Sequence, residues 1–213
     1  YKRQIISADR QIVLAGAGIN LERYKMQPYP KHTRIHFLYL GRIMKEKGID
    51  ELFYAVRHLK KENENFVLDL VGFFEDEYKE QVKELEKHSI AHFYGFQSDP
   101  RPFYIEADCV VLPSYHEGMS NVLLEAAATG RPVITSNIPG CRESVENGKS
   151  GLLVEVKNKE MLYDAMKEML HCSREEREQM GQAGREKMEK EFRKEVVVEK
   201  TVQSLREDEK RDF

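Results

Sequence analysis

The chain has 213 residues, enough for one large domain or two small ones, with 40% hydrophobic and 33% charged residues, the composition of a soluble globular protein. A net charge of −3, from 34 Lys and Arg against 37 Asp and Glu, leaves no basic excess to neutralise a nucleic-acid backbone. No run of apolar residues is long enough for a transmembrane helix.

Cys109, Cys141 and Cys172 are an odd set without C-x-x-C spacing and read as reduced thiols in a cytoplasmic protein. No signal peptide pattern is present. The chain starts at Tyr1 without a methionine and enters structure almost at once, so the expectation is a fragment of a longer protein.

Residues 2–10 are polar and suggest no element. Ile12–Leu14 is a short strand candidate, followed by Ala15-Gly16-Ala17-Gly18. This is not a dinucleotide fingerprint, because Leu21 stands at the third glycine position and no strand–helix unit follows; it reads as a turn. Pro28 and Pro30 mark a loop. Ile35–Leu40 predicts a strand, and Leu52, Ala55, Val56 and Leu59 give one apolar face to a helix over 50–61. Arg42 and Lys47 therefore fall on a strand-to-helix loop, at the edge where open α/β sheets bind ligands. An arginine fork and a lysine point charge suit a diphosphate; the alternative is ordinary solvated charge.

Further strands are predicted over 66–71 and 91–94, with a helix over 76–88 between them carrying Tyr78, Val82 and Leu85. Gly95 and Phe96 follow, then a short helix from Asp99 and Pro100 to about Ala107. Cys109–Leu112 is an unbroken apolar strand, as a sheet covered on both faces requires. Beyond the His116–Asn121 loop, Ser120 is a helix N-cap candidate, and Gly130 and Pro132 close the helix. Its body, Val122–Ala128, is apolar almost all round, so it lies inside the protein. Its one carboxylate, Glu125, needs hydrogen-bond donors there and leans toward the end that carries Glu117. That end also offers unpaired N–H groups and the positive pole of the helix, a seat for phosphate. The simplest ligand with phosphates for the amides and hydroxyls for Glu117 and Glu125 is a nucleotide sugar. The competing reading pairs Glu125 with a nearby Arg or Lys and leaves Glu117 to solvate a loop.

Another buried strand precedes Pro139, and Gly140–Val145 reads as a short helix. Leu152–Val154 is a last strand and Lys159–Cys172 an amphipathic helix with Leu162, Ala165, Met166 and Met169 inward. From Arg174 the chain is helical and charged, with Met180, Gly184, Met188 and Phe192 as its apolar stripe; Val196, Val197, Val198 and Leu205 would dock a final helix. Strand and helix alternate about six times. The fold class is therefore α/β, a Rossmann-like parallel sheet of about six strands with helices on both faces and right-handed crossovers, plus a helical C-terminal tail. D-x-D, H-E-x-x-H and G-x-S-x-G are absent, so neither metal nor serine-nucleophile chemistry is expected.

Glu117 and Glu125, within EGMSNVLLEAAATGRPVI, resemble the E-x7-E motif of retaining glycosyltransferases of the GT-B fold, and the segment is similar to their large group 1 (GT4-type) family. LGRIMKEKGID is similar to the family's Arg…Lys phosphate loop, and GAGINLERY to the segment leading from the interdomain linker, although Ile19-Asn20 stands where many relatives have Val-Asp. The resemblance runs from about Ile12 to the last helices. It implies that 1–213 is a single nucleotide-sugar-binding domain, one half of a GT-B fold, with 1–30 as linker, 174–213 as C-terminal helices and the N-terminal acceptor domain outside this chain. It further implies that Arg42 and Lys47 hold the diphosphate with Gly41 among the substrate-binding residues, that Phe96 flanks the base, and that Glu125 accepts hydrogen bonds from the ribose hydroxyls. Glu117 would meet the transferred sugar, and Gly118, Met119, Ser120 and Asn121 would meet phosphates and sugar through their backbone. Glu117, Arg42 and Lys47 would be the catalytic set.

The implied reaction moves a hexose or N-acetylhexosamine from a UDP- or GDP-linked donor to a glycan or lipid-linked acceptor with retention, using no metal and no cofactor. The wording of the segment is similar to enzymes that build capsule, exopolysaccharide or lipid-linked glycans. The implied location is the cytoplasm, including the inner face of a membrane, and the isolated fragment is expected to be inactive or weakly active. A nucleotide-sugar epimerase or a phosphorylase on the same fold, and a non-catalytic binding module, remain alternatives. For Phe96, burial in the core is the competing expectation.

Overall fold

The computed structural model describes residues 16–209, so the strand candidate at Ile12–Leu14 lies outside the described residues. Six parallel strands form one sheet in the order β3-β2-β1-β4-β5-β6, with β1 at Ile35–Leu40, β2 at Phe66–Val71, β3 at Ala91–Phe93, β4 at Cys109–Leu112, β5 at Val133–Ser136 and β6 at Gly151–Val154. In β2, β4 and β5 every residue is buried, which is why β4 reads as a continuous apolar run and β2 nearly so, broken only by Asp69, rather than as alternating strands.

Right-handed crossovers place α1 (Ile49–Lys61) and α2 (Lys79–Lys87) on one face and α3 (Arg101–Glu106) and α4 (Asn121–Ala128) on the other. Helix α5 (Lys159–His171) packs beside α1, and α6 (Arg174–Lys187) beside α4. The expected α/β architecture with a helical C-terminal region is thus present. Gly181 of α6 lies so close to α4 that a Cβ there would sit 2.1 Å from the Gly130 carbonyl oxygen. A π-helical turn at Met188–Phe192 leads into α7 (Lys194–Glu209). Met188, Phe192 and Val197 are buried as the apolar stripe predicts, whereas Val198 is exposed.

Two local expectations change. Helix α2 begins at Lys79, not Asp76, because the Asp76 carboxylate accepts the Lys45 N–H at 2.8 Å and ties that residue to the loop after β1. Ser120 does occupy the N-cap of α4, but its side chain makes no capping bond; its own N–H is directed to the Gly140 carbonyl at 2.9 Å. No described helix is long and apolar enough to cross a membrane.

Candidate functional site

The strand order reverses between β1 and β4. Ligands of such sheets bind at this switch point, beyond the carboxyl ends of the strands. The loops that leave β1 and β4 are stapled together there. Tyr115 N–H donates to the Glu46 carbonyl at 2.8 Å. Gly48 is left-handed, with φ of 72°, and a Cβ on it would lie 2.1 Å from the Pro113 carbonyl oxygen. Only glycine permits that approach.

The approach brings Lys47 and Glu117 into contact, with Nζ 2.7 Å from Oε1 and side chains only 16% and 15% exposed. The hydroxyl of buried Ser114 donates to the same oxygen at 2.8 Å. A third loop, after β5, closes on the same place. Gly140 has φ of 87°, and a Cβ on it would fall 1.7 Å from the Gly118 carbonyl oxygen. Gly140→Ala is therefore expected to displace Gly118–Ser120 and lower the melting temperature. Thermal denaturation that leaves Gly140→Ala equal to the parent would contradict this packing.

At the start of α4, the amides of Gly118, Met119 and Asn121 have no acceptor among the described residues, whereas the Ser120 amide is taken by Gly140. Gly118 and Met119 open onto a cleft of about 550 Å³ that Glu143, Lys187 and Phe192 also line. Free amides at a helix start form a positive seat for an anion.

The other two charged residues have different partners. Arg42 is exposed and its Nη1 donates to both oxygens of Glu75, at 2.8 and 3.1 Å, in the loop after β2. Its carbonyl accepts from the Tyr39 hydroxyl at 2.5 Å, and Gly72 lets the loop after β2 press against Gly41, where a Cβ would lie 1.8 Å from the Gly41 oxygen. Glu125 accepts from the buried Tyr104 hydroxyl at 2.9 Å, and Tyr24 is its second phenolic partner. Burial raises the Glu125 pKa even though both phenols favour the ionised form and the Arg23 charge lowers it. Desolvation, with the Glu125 carboxylate beside it, pushes the Tyr24 phenol up to about 12.

The sequence-predicted residues thus fall into three groups. Lys47 and Glu117 touch; Arg42 stands with Glu75 and Glu125 with its two tyrosines. No side-chain hydrogen bond joins these groups among the described residues. The donors to Glu125 are phenols rather than the Arg or Lys of the competing reading. Phe96 is 70% exposed and meets Phe73 edge-on at 6.4 Å, so it is not a core residue. Gly41 and Asn121 are at the loop and helix starts where the strand pattern puts them. Spacing did not reveal Ser114, Glu75, Tyr24 and Tyr104. Only Ser114 carried a signal, as a polar residue directly beyond a buried strand on the ligand-binding edge. No group of three His, Cys, Asp or Glu side chains able to hold a metal occurs among the described residues.

A family model described as glycosyl transferases group 1 matches residues 22–187. The capsular polysaccharide biosynthesis glycosyltransferase CapM of Staphylococcus aureus is 28% identical over 193 residues, covering 85% of this chain and 50% of that protein. Sucrose-phosphate synthase from Thermosynechococcus elongatus superposes with a TM-score of 0.75 at 26% identity, over 89% of this chain and 51% of the other. The Anabaena protein HepE, solved in complex with UDP and glucose, has the same fold, with a TM-score of 0.74 at 20% identity over 88% of this chain and 55% of its own. The chain spans about half the length of these relatives. Its Rossmann-like sheet is that of a GT-B domain, and the chain belongs to the group 1 glycosyl transferases.

Proposed function

We propose that this domain holds the nucleotide-diphosphate sugar of a retaining glycosyltransferase that acts on a glycan or lipid-linked acceptor. The observation that carries this reading is the Lys47–Glu117 contact across the switch point, beside the unpartnered amides at the start of α4. A cation and a helix start suit a diphosphate. The carboxylate beside them suits sugar hydroxyls, and the second one, Glu125, suits a ribose. Arg42 reaches the diphosphate by exchanging Glu75 for phosphate. Negative charge grows on the leaving diphosphate as the glycosidic bond breaks. Lys47, Arg42 and the amides stabilise that charge, which is commonly a large part of a catalytic effect. The acceptor class follows the names of relatives such as CapM.

Calorimetry with UDP and GDP, then with their sugar conjugates, tests the reading. Arg42→Ala and Glu125→Ala are each expected to weaken binding roughly tenfold or more; affinities equal to the parent's would remove both residues from the site. A pH dependence follows as well. Ribose hydroxyls donate to the ionised Glu125, whose pKa is raised by burial above the ordinary 4.5. The hydrogen bonds are present above that raised pKa and are lost as the pH falls through it. Nucleotide affinity is therefore expected to decline on acidification before ordinary carboxylates titrate. Glu125→Gln should flatten this decline; an unchanged profile in Glu125→Gln would assign the dependence elsewhere.

A further inference from the structure

We propose that Ser114 is a positioning residue that fixes which oxygen of Glu117 serves the protein and which serves the donor sugar. The inference rests on the donor-site reading above.

Both protein donors to Glu117 arrive on one atom. Lys47 Nζ lies 2.7 Å and Ser114 Oγ 2.8 Å from Oε1, while Oε2 has no partner among the described residues. A carboxylate held by a single flexible lysine turns freely about its last torsion, which is broad and nearly two-fold. A second donor on the same oxygen removes that freedom. The hydroxyl is well placed to do so. Ser114 is fully buried, follows the last residues of β4 and adjoins Tyr115, whose N–H is bonded to Glu46. Glu46 precedes Lys47 in the short 3-10 turn Lys45–Lys47. The two donors to Oε1 thus sit on two loops that are hydrogen-bonded to each other. Oε1 is saturated by this frame, and Oε2 is left as an acceptor of fixed direction for a hydroxyl of the sugar. Such preorganisation contributes to binding because the carboxylate loses no freedom when the sugar arrives.

The same geometry predicts how an amide behaves. In Glu117→Gln, Lys47 and Ser114 both still need an acceptor, so the amide oxygen turns toward them. The NH2 group then takes the place of Oε2 and presents a donor where the sugar hydroxyl expects an acceptor.

The test is calorimetry on the whole chain with UDP, GDP and the conjugates UDP-glucose, UDP-N-acetylglucosamine, UDP-N-acetylgalactosamine and GDP-mannose, using the conjugate the parent binds most tightly. Ser114→Ala is expected to leave the affinity for the bare nucleotide unchanged and to weaken the conjugate by roughly tenfold. Ser114→Thr, which keeps the hydroxyl, should restore it. Glu117→Gln should show the same selective loss. A structural role alone would lower both affinities together, or only the melting temperature. Equal conjugate affinity in the parent and Ser114→Ala, or equal losses for nucleotide and conjugate, would overturn the assignment of Ser114 while leaving the donor site intact. A parent that binds none of these ligands would overturn the donor-site reading, and this inference with it.

Discussion

Lys47→Ala is expected to reduce kcat/KM of the intact enzyme by roughly 10² to 10³, the loss typical of removing one preorganised charge-stabilising donor. Two effects act together. On the proposed donor-site reading, the growing charge on the diphosphate loses a cation; in addition, Glu117 loses its ion-pair partner in a place where both side chains are largely covered. A carboxylate stranded in that position is destabilising. Lys47→Ala should therefore also lower the melting temperature. Glu117→Ala should cost less stability, because the released ammonium sits on a long flexible stem. The double variant should be clearly less impaired than the sum of the two, since each single change already breaks the same contact. Lys47→Arg is not a rescue: a planar fork does not fit the place of a point charge that shares Oε1 with a serine. Transfer assays and thermal melts on the four variants measure this. Strict additivity of Lys47→Ala and Glu117→Ala would show that the contact carries no energy.

Arg131→Met is expected to destabilise the fold by about 3–5 kcal/mol, the scale of breaking a buried charged network. At the usual sensitivity of a domain this size, the melting temperature falls by roughly 10 °C. Arg131 is completely buried and, among the described residues, has no ion-pair partner and bonds only to backbone oxygens. Nε donates to Tyr104 O at 2.9 Å, Nη1 to Gln27 and Gly130 at 3.3 and 3.1 Å, and Nη2 to Pro28 and Ile105 at 2.8 and 3.0 Å. The side chain thus ties the segment before β1, the last turn of α3 and the end of α4 into one knot. Burial pulls its pKa down to about 10, so it stays charged at neutral pH. Methionine fills much of the space but satisfies none of the five carbonyls. Lysine carries three donors in a different geometry and should recover only part of the loss. Denaturant and thermal unfolding read the effect. A shift below about 2 °C would mean that water replaces the guanidinium without penalty.

The central strands were legible because full burial writes itself into composition. Cys109–Leu112 and Phe66–Val71 are apolar without a break, or nearly so, and no other environment explains such runs between helical segments. The positions of Arg42, Lys47 and Glu117 on the ligand edge followed from the same pattern, since parallel strands put all strand-to-helix loops at one end. The N-cap position of Ser120 followed as well, but the lack of a capping bond from its side chain and the start of α2 did not. In both cases a backbone or side-chain group was claimed by a distant loop, Gly140 in one and Lys45 in the other.

The amino-acid order alone determined the α/β class, the burial of α4, the family and the edge at which the site forms, because each depends on local periodicity or on a contiguous motif. Which side chains meet at that edge was decided only by the tertiary structure. Lys47 reaches Glu117 and Arg42 reaches Glu75 because β1 lies between β4 and β2 in the sheet, and Tyr104 reaches Glu125 because α3 and α4 lie on the same face of it. Strand order is a property of packing that no spacing along the chain encodes, and it brings together loops that the sequence holds far apart.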